Sequence, residues 1–201
     1  MMFKKPFAAV AALLITTAAM AQAEAPDAFV KQLSGDVLQT LKADKAIKSG
    51  DIQSVVSLVD TKVMPHVDVQ RMTSAAVGRY WRQASPEQQR ALQEQFKLLL
   101  IRTYSGALTQ VDDQTIQVLP LRGSVDGSDV VVKTEIHGSG EPVELDYRLE
   151  KSGADWKIYD LSVLGVWLAE NYRNTFAELI DASGIDGLIA KLTERNKQLR
   201  S

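Results

Sequence analysis

The sequence predicts an α+β fold in which an antiparallel four-stranded meander is covered by helices from both ends of the chain. Apolar residues recur at helical spacing over residues 25–121, alternate with polar residues to residue 160, and return to helical spacing over residues 165–199. Strands joined by short turns form an antiparallel meander, whose apolar face needs helices to cover it. The 201 residues contain no internal repeat, which fits one domain.

The N-terminal segment has the features of a secretory signal. Lys4 and Lys5 precede a charge-free stretch, residues 6–23, which ends in Ala-Gln-Ala, the small-residue pattern that a signal peptidase reads. An uncleaved membrane anchor is the alternative, but the stretch is rich in Ala and Thr and poor in Leu. We expect a cleaved signal peptide over residues 1–23 and a single domain over residues 24–201.

Helix signals dominate the first half of the remaining chain. Pro26 is placed to begin the first helix, a Gly-Asp break at residues 50–51 separates it from a second, and residues 69–81 form another with a continuous apolar face. Ser85, a proline next to it and Gln88 make a capping box at the start of a long helix. That helix keeps its apolar side on one face for about six turns, through Leu92, Phe96, Leu99, Leu100, Thr103 and Ala107.

The strand region alternates most clearly over residues 143–150, where charged residues face one side and apolar residues face the other: Val143, Leu145, Tyr147 and Leu149. Two strands precede this one, the first beginning at Ile116 and the second covering residues 130–136. A fourth strand covers residues 156–160. Two helices follow it, with a break at Ser183-Gly184.

Composition excludes several classes of protein. Without residues 1–23 the chain has 21 basic and 25 acidic residues, a net charge of −4, and no basic tract. This balance argues against nucleic-acid binding and against a polybasic attachment to membranes. The chain contains no cysteine, so it has no disulfide, no thiol chemistry and no lipidated N-terminal cysteine.

Catalytic and metal-binding signals are weak. The two histidines, His66 and His137, lie in predicted turns without an H-E-x-x-H motif, so we predict no metal site and no cofactor. Asp160 is the residue that suggests catalysis, because a buried carboxylate in a cone-shaped α+β fold can act as the base of a small-molecule isomerase or hydratase. We favour the alternative that Asp160 caps the following turn. A periplasmic adaptor that holds peptide in an apolar groove stays open as a third function.

Several segments resemble the MlaC family, also called the toluene-tolerance auxiliary proteins. They are residues 64–72 (MPHVDVQRM), 78–84 (GRYWRQA), 147–149 (YRL), 156–160 (WKIYD), 163–165 (VLG) and 171–173 (NYR), together with Phe176. Their order and spacing extend the resemblance over nearly the whole chain after the signal segment.

The resemblance implies a function as well as a fold. Members of that family are periplasmic carriers that pass phospholipid between an outer-membrane lipoprotein complex and an inner-membrane ABC transporter bearing an MCE-domain protein. We therefore expect a monomer in the periplasm that catalyses no reaction and maintains the lipid asymmetry of the outer membrane. The family fold implies an apolar cavity between the sheet and the helices, with the acyl tails inside and the head group outside.

Helix and strand periodicity, read with this resemblance, predict which side chains line the cavity. We expect Val69, Met72, Tyr80, Phe96, Leu99, Leu100, Thr103, Tyr104, Val132, Val143, Leu145, Tyr147, Leu149, Val166, Trp167, Tyr172 and Phe176. The family often has a small polar residue at the position of Trp167, so an inward-pointing tryptophan would narrow the cavity there. Periodicity alone does not distinguish a lined cavity from an ordinary core.

A carrier must also dock on two complexes in turn. We expect a polar interface of the transient size class near the mouth of the cavity, where complementary charge assists encounter. The candidates are four arginines that flank the apolar helix faces: Arg79, Arg82, Arg102 and Arg173. The alternative is that these arginines are solvated or form local salt bridges.

Overall fold

The computed structural model describes residues 24–121 and 128–199. The predicted signal peptide and the connection between the first two predicted strands, residues 122–127, lie outside these residues. Within the described ranges, no helix combines the length and the apolar character that crossing a bilayer requires.

Five helices precede the sheet: α1 (Pro26–Ala43), α2 (Lys45–Lys48), α3 (Ile52–Leu58), α4 (Val69–Val77) and α5 (Pro86–Thr109). Pro26 occupies the first turn of α1 and Ser85 with Gln88 forms the capping box of α5, as predicted. A π-helical turn (Val59–Val63) and a 3-10 turn (Met64–His66) connect α3 to the segment before α4. The helix predicted over residues 69–81 is shorter than expected, because Gly78 adopts a φ of 64° that closes α4.

The sheet is antiparallel and its strands pair in chain order: β1 (Thr115–Val118), β2 (Asp129–His137), β3 (Val143–Ser152), β4 (Asp155–Val163) and β5 (Val166–Trp167). The predicted antiparallel meander is confirmed. It has five strands rather than four, because the two-residue strand β5 pairs with β4 at the edge of the sheet. Leu164 and Gly165, between β4 and β5, have φ values of 52° and 81°. Positive φ at both turn positions matches the twist of a two-residue hairpin.

A β-bulge in β4 decides which of its side chains face the apolar side of the sheet. Leu149 pairs with Ile158, whereas the preceding Arg148 pairs with Asp160, so β4 carries one extra residue at this point. The inner face of the sheet therefore holds Val130, Val132, Leu145, Tyr147, Leu149, Ile158 and Leu161, and the outer face holds Asp146, Arg148, Asp160 and Ser162.

The last helix, α6 (Leu168–Gln198), is interrupted at Gly184, which has a φ of 72° and a ψ of 179°. The predicted break is confirmed at that residue. Its buried residues Phe176, Ile180, Leu188 and Leu192 pack with α4 and the first half of α5. We refer to this group as the helical cluster.

Two further clusters complete the interior. In the sheet cluster, Phe29 and Val30 of α1 pack on Val132, Tyr147, Leu149, Trp156 and Ile158 of the sheet. In the third cluster, the end of α1 packs with α2, α3 and Ile101 of α5. Helix α5 thus changes the face that it buries along its length, since Leu92, Phe96 and Leu99 belong to the helical cluster. The prediction of one continuous buried face is wrong beyond Leu100, because Thr103 and Ala107 are exposed.

Candidate functional site

The interior is divided between the sheet and the helices. The sheet cluster and the helical cluster have no buried residue in common, and the half-buried Val67 packs against both. Most domains of this size have one contiguous core with smaller satellites. The described residues instead form separate buried groups, one along the sheet, one among the helices and a third between α1, α2, α3 and α5.

Half-buried apolar side chains pack against each of these two clusters. On the sheet side these are Leu33, Val118, Leu121, Val130, Leu145 and Leu161. On the helical side they include Leu100 and Tyr172. Tyr147 lies among the inner-face residues, and burial raises the pKa of its hydroxyl strongly above the ordinary value. Such surroundings favour neutral, apolar groups.

Three aromatic rings join α5 to α6. Phe96 meets Tyr172 and Phe176 edge-on, with ring centroids 5.2 and 5.3 Å apart, and the two α6 rings are 5.4 Å from each other. Burial and the neighbouring Tyr172 hydroxyl raise the pKa of Tyr104. Tyr104 is half-buried on α5.

The structure divides the predicted lining residues into three groups. Met72, Tyr80, Phe96, Leu99 and Phe176 are buried in the helical cluster, with Leu100 and Tyr172 packed against it. Val132, Tyr147 and Leu149 are buried in the sheet cluster, with Leu145 beside them. The residues outside both clusters are Val69, Thr103, Tyr104, Val143, Val166 and Trp167.

For three of these residues, the prediction that the side chain lies in an enclosed cavity is wrong. Val143 is 38% exposed and Val166 is 50% exposed, because they lie at one end of the sheet, in the first residues of β3 and β5. Thr103 is exposed where α5 changes its buried face. These side chains are open to solvent.

Trp167 does not point toward the inner face. It pairs with Ser162 in the sheet and therefore lies on the outer face, where the Arg148 guanidinium stacks over its ring at 3.9 Å. Cation–π stacking on a half-buried ring accounts for a tryptophan at this position. The prediction that Trp167 lines the cavity is wrong, because the strand β5 and its register were not recognised from sequence.

Asp160 caps the first turn of α6, whereas the favoured interpretation placed it as the cap of the turn directly after it; β4 continues past Asp160 to Val163. One of its carboxylate oxygens accepts hydrogen bonds from the backbone N–H groups of Leu161 and Ala169 at 2.9 and 3.1 Å, and the other accepts one from Arg148 at 3.2 Å. Burial raises the pKa of Asp160, while these donors oppose the rise. Three donors on the outer face hold this carboxylate in place, which favours a structural role for Asp160 over that of a general base.

Replacing Asp160 tests this assignment through pH dependence. Since its folded-state pKa is raised, the folded protein takes up this proton at a higher pH than the unfolded chain. The ionised group therefore lowers stability at neutral pH, and its contribution becomes more favourable as the pH falls through the folded-state pKa. The free energy of unfolding of Asp160→Asn, measured with denaturant between about pH 7 and pH 4, should lack the pH-dependent contribution of this carboxyl. Phospholipid binding should not change. Loss of binding in a folded variant would contradict the capping role.

Arg71 on α4 makes the main polar connection between the helices and the sheet. Its guanidinium donates to Asp129 of β2 at 2.6 Å, pairs with Glu150 of β3, and lies 3.5 Å from the ring centroid of Tyr159 in β4. Asp68 donates its backbone N–H to the Ile158 carbonyl at 2.8 Å beside this group. Sequence reasoning gave Arg71 no role, and its only signal was its place in the segment of residues 64–72.

The four candidate interface arginines differ in their surroundings. The Arg79 side chain is 73% exposed and lies 3.7 Å from Asp181. Arg82 is exposed, and Arg173 is exposed but donates from Nε to the Ala75 carbonyl at 3.0 Å. Arg102 is half-buried, with an Nε that has no hydrogen-bond partner among the described residues. Arg102 is therefore less accessible to a partner than the other three arginines.

Two surface pockets are present beside the π-helical turn. One has a volume of about 310 Å³ and lies between α1 and residues 61–66. The other, of about 280 Å³, lies between residues 60–69 and α5, where Lys97 pairs with Asp60 at 3.0 Å. Volumes near 300 Å³ are at the lower limit for small-molecule sites, so neither pocket alone accommodates two acyl chains.

The comparisons with known proteins identify one family. A family profile described as "MlaC protein" matches residues 31–194. The chain is 28% identical to the toluene tolerance protein ttg2D of Pseudomonas putida over 82% of this chain and 77% of that protein. It is 25% identical to the intermembrane phospholipid transport system binding protein MlaC of Haemophilus influenzae, over 93% of this chain and 89% of that protein.

One solved structure that is similar to this chain contains a bound ligand. The phospholipid-binding protein from Ralstonia solanacearum, in complex with a phospholipid, is 48% identical to this chain. The two structures align with a TM-score of 0.84 over 87% of this chain and 98% of that chain.

Proposed function

We propose that this chain, which belongs to the MlaC family, is a periplasmic phospholipid carrier that catalyses no reaction. The observation that carries the proposal is the divided interior, in which the inner face of the sheet and the helical cluster both end in half-buried apolar side chains. A phospholipid bound in the Ralstonia solanacearum relative, at 48% identity, supports this choice of ligand.

Such a carrier must shield the acyl chains of its ligand from water, against a large free-energy cost. Exposing an acyl chain to water costs roughly 0.8 kcal/mol per methylene, so two chains of ordinary length amount to on the order of 25 kcal/mol. An apolar enclosure must offset that penalty during an aqueous crossing. Tails placed between the inner face and the helical cluster would cover the half-buried side chains of both.

The proposed carrier exchanges its ligand with two membrane complexes. As in the family, these are an outer-membrane lipoprotein complex and an inner-membrane ABC transporter with an MCE-domain protein, and the result is maintenance of outer-membrane lipid asymmetry. Uptake of labelled phospholipid from vesicles by the delipidated protein tests the binding step. Uptake of an apolar peptide in its place would favour the adaptor hypothesis.

Charge reversal tests whether the exposed arginines assist docking. Arg82→Glu should slow lipid transfer to a purified membrane partner roughly threefold at low salt, with the difference fading as salt screens the charges. Lys45→Glu is the matched control, since Lys45 is exposed on α2 and carries the same charge. Equal transfer rates for both variants across a salt series would place the interface elsewhere, provided that their lipid content is the same.

A further inference from the structure

The 310 Å³ pocket between α1 and residues 61–66 borders the sheet cluster. Two of its lining residues, Phe29 and Leu33, also belong to the sheet cluster or pack against it. Phe29 is only 8% exposed, and the His66 ring meets it edge-on with centroids 5.5 Å apart. The pocket wall is thus continuous with the packing on the inner face.

Two residues of β4 hold the polar walls of the pocket in place. Trp156 donates its indole N–H to the Glu24 carbonyl at 2.8 Å, and Lys157 donates from Nζ to the Pro65 carbonyl. Both Glu24 and Pro65 line the pocket. The pocket therefore has a shape that the sheet fixes.

The pocket carries charges of both signs that do not neutralise each other. Glu24, Asp36 and Lys62 line it and are exposed. None of the three forms an ion pair with any residue in the described part of the chain. Unpaired carboxylates and an unpaired ammonium around one concave site complement a ligand that has both a cation and an anion.

We infer that this pocket binds the zwitterionic phosphoethanolamine head group of a phospholipid, an inference that rests on the proposed carrier function. Lys62 would pair with the phosphate, and Glu24 with Asp36 would pair with the ammonium. The tails would leave the pocket past Phe29 and Leu33 toward the inner face of the sheet. A volume of about 310 Å³ suits a head group and excludes two acyl chains.

The predicted N-terminus strengthens the same charge pattern. Cleavage after residue 23 would place a free α-ammonium group on Glu24, which adds a second cation for the phosphate. An anionic head group without an ammonium, such as phosphatidylglycerol, would still leave Asp36 unpaired and facing a phosphate. The site therefore favours phosphatidylethanolamine over phosphatidylglycerol.

Competition between these two lipids tests the assignment. The delipidated protein is incubated with vesicles of equal phosphatidylethanolamine and phosphatidylglycerol content, and the bound lipid is identified by mass spectrometry. The wild type should be enriched in phosphatidylethanolamine roughly threefold. Asp36→Lys should abolish or reverse this preference, and Lys62→Gln should reduce loading of both lipids. Lys31→Gln, on the opposite side of α1, should match the wild type.

The outcomes separate the head-group site from the carrier function. Loading that follows the vesicle composition in the wild type and in Asp36→Lys would overturn the head-group site and leave the carrier intact. No loading of either lipid by the wild type would overturn the carrier function itself. Unchanged folding by circular dichroism is required of each variant, and all the changed side chains are exposed.

A tail-free probe distinguishes a lipid head group from a free phosphoethanolamine compound. In NMR titration, glycerophosphoethanolamine should shift the amide signals of Lys62 and His66 weakly, and a loaded phospholipid should prevent those shifts. Shifts of the same size in the lipid-loaded protein would show that the pocket takes a free solute and would overturn the head-group assignment.

Discussion

Leu145→Arg should abolish phospholipid loading, whereas Glu144→Arg should leave it unchanged. Leu145 lies on the inner face beside the sheet cluster, and Glu144 is exposed on the other side of the same strand. An arginine among the tails would bury a charge without a partner, at a cost of several kcal/mol. Each 1.4 kcal/mol is tenfold in affinity, so we expect a loss of roughly a hundredfold or more in vesicle uptake assays.

The pair of variants is matched in position, strand and introduced side chain. Circular dichroism and thermal unfolding must show that Leu145→Arg remains folded. Loading of both variants at wild-type level would mean that the ligand does not contact the inner face of the sheet. Loss of loading in both would mean that the effect of the charge is not specific to the inner face, and it would contradict the assignment of that face as the lining.

Phe96→Ala should be the most destabilising single change in the helical cluster. Phe96 is 1% exposed and contacts both Tyr172 and Phe176, so its removal leaves a cavity at the point where α5 meets α6. Truncation of a buried phenylalanine costs about 3–5 kcal/mol. In a domain of this size that lowers Tm by roughly 6–20 °C, measurable by calorimetry.

Leu164→Ala is the control for that change. Leu164 is 65% exposed in the turn before β5, so its truncation removes little buried surface and should shift Tm by no more than about 2 °C. A similar loss of stability in the two variants would contradict the position of Phe96 at the centre of the helical cluster.

Sequence periodicity predicted the elements that repeat over several residues. The capping box at Ser85, the break at Gly184 and the alternation from Val143 to Leu149 each depend on local chemistry, and the structure has all three. Helical periodicity also predicted apolar faces on α4, α5 and α6, and where the helix continues undisturbed their residues are buried, as at Met72, Phe96 and Phe176.

The errors arise where one residue changes the register. The bulge in β4 moves Asp160 to the outer face, and the two-residue strand β5 moves Trp167 with it. Neither the bulge nor so short a strand has a periodic signal. The Arg71 connection joins residues 58 and 79 positions apart in sequence, and the pattern of a single chain does not encode such contacts.

Native mass spectrometry of the protein purified from its own host tests the carrier function most directly. The expected spectrum contains the mass of the chain plus one phospholipid, with phosphatidylethanolamine as the main species released on extraction. A spectrum of the chain alone, from a folded sample that also takes up no phospholipid from vesicles, would contradict the function proposed for the divided interior.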